Sequence, residues 1–163
     1  MKLKELWPVC LLMIIIGIYF YYFNSRYIIA SNSTASNCLQ ASVFLVDTWD
    51  KEVGVNDLAA FVMNKPNKVY PLGGKWIKQV VATQGMTVHV FEDKVTISDG
   101  RTIQNSMTHV LSFLQQTIAD IEPVHTLSTG QLFMMGDTKT TYDSRYWGAI
   151  TTQNVLGKAY AIF

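Results

Sequence analysis

Met135-Gly136-Asp137-Thr138-Lys139-Thr140-Thr141-Tyr142-Asp143-Ser144-Arg145-Tyr146-Trp147-Gly148 runs from an apolar stretch, through a Gly-Asp turn and a cluster of hydroxyls, into Asp-Ser-Arg-Tyr-Trp-Gly. The residues that feed it, Leu132-Phe133-Met134-Met135, form a short apolar run that reads as a strand. On its other side Val155 to Phe163 reads as a closing strand. Working back towards the N-terminus, Thr87-Val88-His89-Val90 and Lys94-Val95-Thr96-Ile97 flank Glu92-Asp93 as a hairpin, and Ser98-Asp99-Gly100 turns the chain again. Val43–Val46, Leu58–Met63 and Trp76–Ala82 are further candidate strands, with Asn64–Asn67 and Pro71–Gly74 as loop signals.

One segment breaks this pattern. From Ser106 to Ile121 the apolar residues Met107, Val110, Leu111, Leu114, Ile118 and Ile121 recur at helical spacing, which predicts an amphipathic helix stopped by Pro123 and packed on the sheet. The expected fold class is mainly β, an antiparallel domain carrying one short amphipathic helix.

At 163 residues the chain holds one such domain, and a net charge of +1 without a Lys/Arg stripe excludes an electrostatic nucleic-acid binder. The run Trp7 to Phe23 carries no charge and ends in Tyr and Phe, as a membrane span with an interfacial aromatic belt would. Lys2 and Lys4 would also suit the start of a cleaved secretory signal, but the apolar run is long and aromatic, and Ala30 and Ala35 are poorly placed for an Ala-x-Ala cleavage site. A retained anchor over residues 1–29 followed by a domain over 30–163 is therefore expected. The positive residues ahead of the span put the N-terminus in the cytoplasm and the domain outside it, against membrane lipid. Cys10 lies in the apolar run and Cys38 beyond it, which argues against a disulfide and leaves no metal pattern.

Histidine is the usual base that activates a serine. His89, His109 and His125 form no recognisable triad, and structural or surface roles account for them. A Ser-Lys pair is the other route to an activated serine, and its lysine must be neutral to act, so a reference pKa of about 10.4 has to be lowered by burial. Lys78 suits that requirement. It lies in Trp76-Ile77-Lys78-Gln79-Val80-Val81, and alternation puts Trp76, Lys78 and Val80 on one face.

Three motifs occur in order: Asn32-Ser33-Thr34-Ala35-Ser36 after the anchor, Ile77-Lys78-Gln79-Val80 through Gly85 in the middle, and Gly136-Asp137 to Gly148 near the end. Together they resemble the type I signal peptidases, and the first resembles the branch found in conjugative transfer systems (the TraF type), whose pattern is Asn-x-Thr-x-Ser-x-Pro-x-Gly. The resemblance covers about residues 30–40, 76–86 and 132–160. It implies Ser36 as nucleophile, Lys78 as general base and Thr34 beside the oxyanion hole, with Ser31, Ser33 and Ser42 as alternative nucleophiles. It further implies an Asp143–Arg145 ion pair that shapes the site and a hydroxyl at Thr141, or one residue earlier at Thr140, that orients the lysine. Cys38, Gln40, Gln79, Ala82 and Met86 depart from the usual residues.

The implied protein is a bacterial inner-membrane serine endopeptidase facing the periplasm, without cofactor or metal, that cleaves exported precursors with leader peptides such as a conjugative pilin. Two alternatives stand beside it: a housekeeping leader peptidase, and an inactive anchored scaffold of a conjugation or secretion apparatus.

Overall fold

A computed structural model describes residues 3–31 and 39–162 of the chain. Helix α1 spans Leu3–Arg26. Its segment Trp7–Arg26 has a mean hydropathy of 1.6 and none of it is buried against the rest of the chain. Twenty helical residues rise about 30 Å, the thickness of a bilayer core, so length and composition permit a membrane crossing.

The remainder is two antiparallel sheets. The larger is ordered β1 (Tyr27–Ser31), β2 (Val43–Asp47), β11 (Val155–Ala161), β3 (Leu58–Val62), β4 (Lys75–Thr83), β9 (Gln131–Met135) and β10 (Ile150–Thr151). The smaller is ordered β7 (Thr102–Gln104), β6 (Lys94–Ile97), β5 (Thr87–Val90) and β8 (Val124–Thr126). The mainly β, antiparallel class expected from the sequence is the class observed.

Strands β4 and β9 organise the interior because both their faces are covered. Phe133 and Met135 point with Val81 and Ala82 into a core shared with Val88, Val95 and Ile97 of the small sheet. Leu132, Met134 and Val80 point the other way, into a second core with Phe61, Met63 and Trp147. This two-sided burial is why these strands read as nearly continuous apolar runs instead of alternating ones. A register shift between Val80 and Ala82 lets β4 turn from one core to the other.

The helix predicted over Ser106–Ile121 is shorter. Helix α2 spans only Thr108–Leu114, and Gln115, at φ 53°, ends it in the left-handed region. The apolar positions beyond that point belong to a separate 3₁₀ turn, Ile118–Asp120, and to Ile121 in the first core. Ile118 in that turn is exposed, so of the later apolar positions only Ile121 enters the core.

His125 on β8 supplies a pH-dependent element of stability. It is buried beside Phe133, with its Nε2 lacking a hydrogen-bond partner among the described residues. Burial holds its imidazole below the ordinary 6.5, and Glu122, 3.5 Å from Nδ1, offsets this only in part. The unfolded chain therefore binds a proton that the folded chain resists. His125 contributes stability that is complete above the unfolded value and is lost as pH falls through about 6.5 towards the depressed folded value. Denaturant midpoints of the full chain in detergent are expected to drop between pH 7.5 and 5.5, and His125→Phe is expected to flatten that slope.

Candidate active site

Lys78 sits in the middle of β4, paired with Ala59 of β3, and is only 2 % exposed. Its neighbours on the same face, Trp76 and Val80, pack with the second core, as strand alternation requires. The amine donates to Thr141 Oγ1 at 2.5 Å and lies 5.8 Å from the centre of the Trp76 ring. Among the described residues no carboxylate forms an ion pair with Lys78, so the hydroxyl of Thr141 is its polar anchor. Of the two threonines left open by the sequence, Thr141 is fully buried and meets the lysine; Thr140 is exposed and shares its hydroxyl with Thr138 at 3.3 Å.

Thr141 is held in place by the buried box that follows it. Asp143 and Arg145 are both sequestered from solvent. Arg145 donates from Nε to Asp143 Oδ1 at 2.8 Å and from Nη2 to Oδ2 at 3.0 Å, a fork-to-fork pair. Burial works against the guanidinium's charge, but the charge and hydrogen bonds of Asp143 outweigh it and hold the Arg145 pKa above its ordinary value. Asp143 also caps the short helix α3, Ser144–Trp147, by accepting from the Arg145 backbone N–H. Its second oxygen accepts from the Gly136 N–H at 3.3 Å, which ties the two ends of the loop together. Ser144 Oγ accepts from the Met134 N–H at 2.9 Å and pins the helix to β9. Gly148 then reverses the chain at φ +77°, a conformation that glycine adopts without penalty.

Asn105 is a member of this network that sequence reading missed. Its carbonyl accepts from Arg145 Nη1 at 2.7 Å, and its side-chain amide donates to the carbonyls of Gly136 and Thr138 at 3.2 and 3.3 Å. An asparagine between a strand and a helix reads as a turn former, and nothing in Gln104-Asn105-Ser106 marks it as a buried brace.

Lys78 lines a groove of about 690 Å³ walled largely by apolar side chains, among them Ile28, Ala30, Phe44, Ile77 and Tyr142. Ser36 and Thr34 lie outside the described residues, as does Ser33. The described residues on either side of them, Ser31 and Leu39, both line this groove. Ser42 is exposed and is not among the groove-lining residues. Among the described residues no cluster of His, Cys, Asp or Glu could hold a metal ion.

The groove, the buried lysine and the braced box can be set beside known proteins. The chain is 34 % identical over 91 residues to a probable signal peptidase I-1 of Synechocystis sp., a match covering 55 % of this chain and 43 % of that protein. It is 25 % identical over 112 residues to thylakoidal processing peptidase 1, chloroplastic, of Arabidopsis thaliana, covering 64 % of this chain and 31 % of that one. In both cases the match spans less than half of the relative. The crystal structure of a signal peptidase I from Enterococcus faecalis V583 superposes with a TM-score of 0.44 at 21 % identity, covering 67 % of this chain and 97 % of that one. The family model for signal peptidase, peptidase S26, matches residues 3–163, from the apolar helix to the last strand, and the chain belongs to that family.

Proposed function

We propose that this chain is a membrane-anchored leader peptidase that uses Ser36 as nucleophile and Lys78 as general base. The observation that carries this reading is a lysine buried in an apolar strand and anchored by Thr141, on a groove that is also lined by Ser31 and Leu39, the described residues that flank Ser36 in sequence. In this reading the Lys78 amine takes the Ser36 hydroxyl proton as Oγ attacks the scissile carbonyl. The Ser36 N–H and the Thr34 hydroxyl donate to the developing oxyanion. Collapse breaks the C–N bond, Lys78 returns the proton to the leaving amine, and water then hydrolyses the acyl-enzyme with Lys78 again as base. The leader peptide lies extended against the groove walls, where main-chain pairing with a strand edge supplies affinity and the apolar lining accepts small side chains.

The preferred substrate class is an exported precursor of a conjugative transfer system, such as a pilin, because the spacing Asn32-x-Thr34-x-Ser36 follows the TraF-type pattern. The domain then faces the periplasm from the bacterial inner membrane. The relatives named signal peptidase I-1 and thylakoidal processing peptidase favour a second reading, a housekeeping leader peptidase. Co-expression of the chain with a tagged pilin precursor and, in parallel, a general secretory precursor separates the two. Processing of the pilin alone supports the first reading and processing of both supports the second. No processing of either by wild type, or unchanged processing by Ser36→Ala, contradicts the proposed mechanism.

Thr141 gives a finer test. Thr141→Val keeps the shape of the side chain but removes the acceptor for the Lys78 amine. Leaving this buried amine without its partner costs about 1–3 kcal/mol, so kcat is expected to fall about fivefold or more with little change in KM. Thr141→Ser, which restores the hydroxyl, is expected to recover most of the rate in the same steady-state assay.

A further inference from the structure

The junction between helix and sheet is built as a lock. Helix α1 ends at Arg26 and β1 starts at Tyr27, with no residue between them. Arg26 donates from Nε to both carboxylate oxygens of Asp47 at 3.0 Å and from Nη2 to Oδ2 at 2.5 Å. Asp47 closes β2 and is only 3 % exposed. Hydrogen bonds from Arg26 hold its carboxyl below the usual carboxylate range despite the opposing effect of burial. Next to it, the Thr48 N–H and hydroxyl each donate at 2.8 Å to the Arg26 carbonyl, one of the groups that a helix C-terminus leaves open. The guanidinium also lies 5.0 Å from the Tyr27 ring and 5.7 Å from that of Trp49. Behind the pair, β11 passes so close that a Cβ on Gly157 would strike the Asp47 carbonyl and come within 2.9 Å of Thr48 Cα.

A flexible tether would need none of these contacts. We propose that the Arg26, Asp47 and Thr48 contacts lock the membrane helix to the sheet, so that the groove stands at one height and orientation over the bilayer, and that Arg26 and Asp47 are positioning residues for substrates presented in the membrane. The substrate part rests on the leader-peptidase reading. The reach is short. Ser31 lines the groove and stands five residues beyond the helix end, about 17 Å of extended chain. The groove wall does not depend on the lock, because β1 is paired with β2 along all five residues from Tyr27 to Ser31.

The test uses the full chain in lipid nanodiscs, with Cys10→Ser and Cys38→Ser and spin labels on Tyr19→Cys in the helix and Glu52→Cys in the domain. Pulsed electron–electron resonance is expected to give one narrow distance distribution that broadens in Arg26→Gln and in Asp47→Asn. A broad distribution in the parent, or an unchanged narrow one in both variants, overturns the lock. The positioning role is read separately from cleavage. Arg26→Gln is expected to lower kcat/KM about tenfold for a precursor embedded in the same membrane while leaving a soluble leader peptide nearly unaffected. Equal loss on both substrates, or loss on neither, overturns that role. A parent that cleaves neither substrate contradicts the peptidase reading and the positioning role with it, while the distances still decide the lock.

Discussion

Lys78→Met is expected to reduce kcat by about 10²–10⁴-fold while the domain stays folded, the contribution of a positioned general base, which is the role proposed for Lys78. The physical reason lies in where the amine sits. Lys78 is 2 % exposed, its side chain runs along the apolar face shared by Trp76 and Val80, and Thr141 is its hydrogen-bond partner. Methionine fills nearly the same space without the amine, so packing is kept while the hydrogen bond to Thr141 and the proposed proton transfer are lost. Turnover of a leader peptide, measured together with the denaturant midpoint, checks both halves. A variant that keeps a tenth of the wild-type rate, or that unfolds, contradicts the role assigned to Lys78.

The Asp143–Arg145 pair is expected to carry the largest stability effect in the molecule. Asp143→Ala leaves a buried guanidinium whose remaining acceptor among the described residues is the Asn105 carbonyl, and breaking a buried pair from one side costs about 3–5 kcal/mol. The same change frees the Gly136 N–H and uncaps α3, so the loop carrying Thr141 loses both its ends. Replacing both charges together, Asp143→Leu with Arg145→Met, is expected to cost less than Asp143→Ala alone, because no unpaired charge remains. Equilibrium denaturation of the single and double variants gives the coupling directly. A single variant no less stable than the double would mean that the pair is not the brace described here.

Much of this was legible where local pattern and tertiary role agree. The hairpin Thr87–Val90 with Lys94–Ile97 was read to the residue, because alternation and an acidic turn both specify it. Lys78 stood out because a lysine in an apolar strand is costly unless something uses or anchors it. Elements made by distant partners were not legible. Strand β1 lies between an aromatic run and a polar one, and only its pairing with β2 makes Tyr27–Ser31 a strand. The four-residue helix α3 and the two-residue β10 are too short to carry a periodicity. Asn105 escaped notice because its partners lie 31 to 40 residues away. Ser36 and Thr34 rest on motif and on the neighbours that flank them.

Covalent labelling of the full chain with a serine-reactive β-lactam, with the adduct located by peptide mass spectrometry, tests the Ser36–Lys78 pairing most directly. One acyl adduct is expected on Ser36, absent from Ser36→Ala and from Lys78→Met. An adduct on Ser31, Ser33 or Ser42, or labelling that persists in Lys78→Met, would contradict the Ser36–Lys78 pairing.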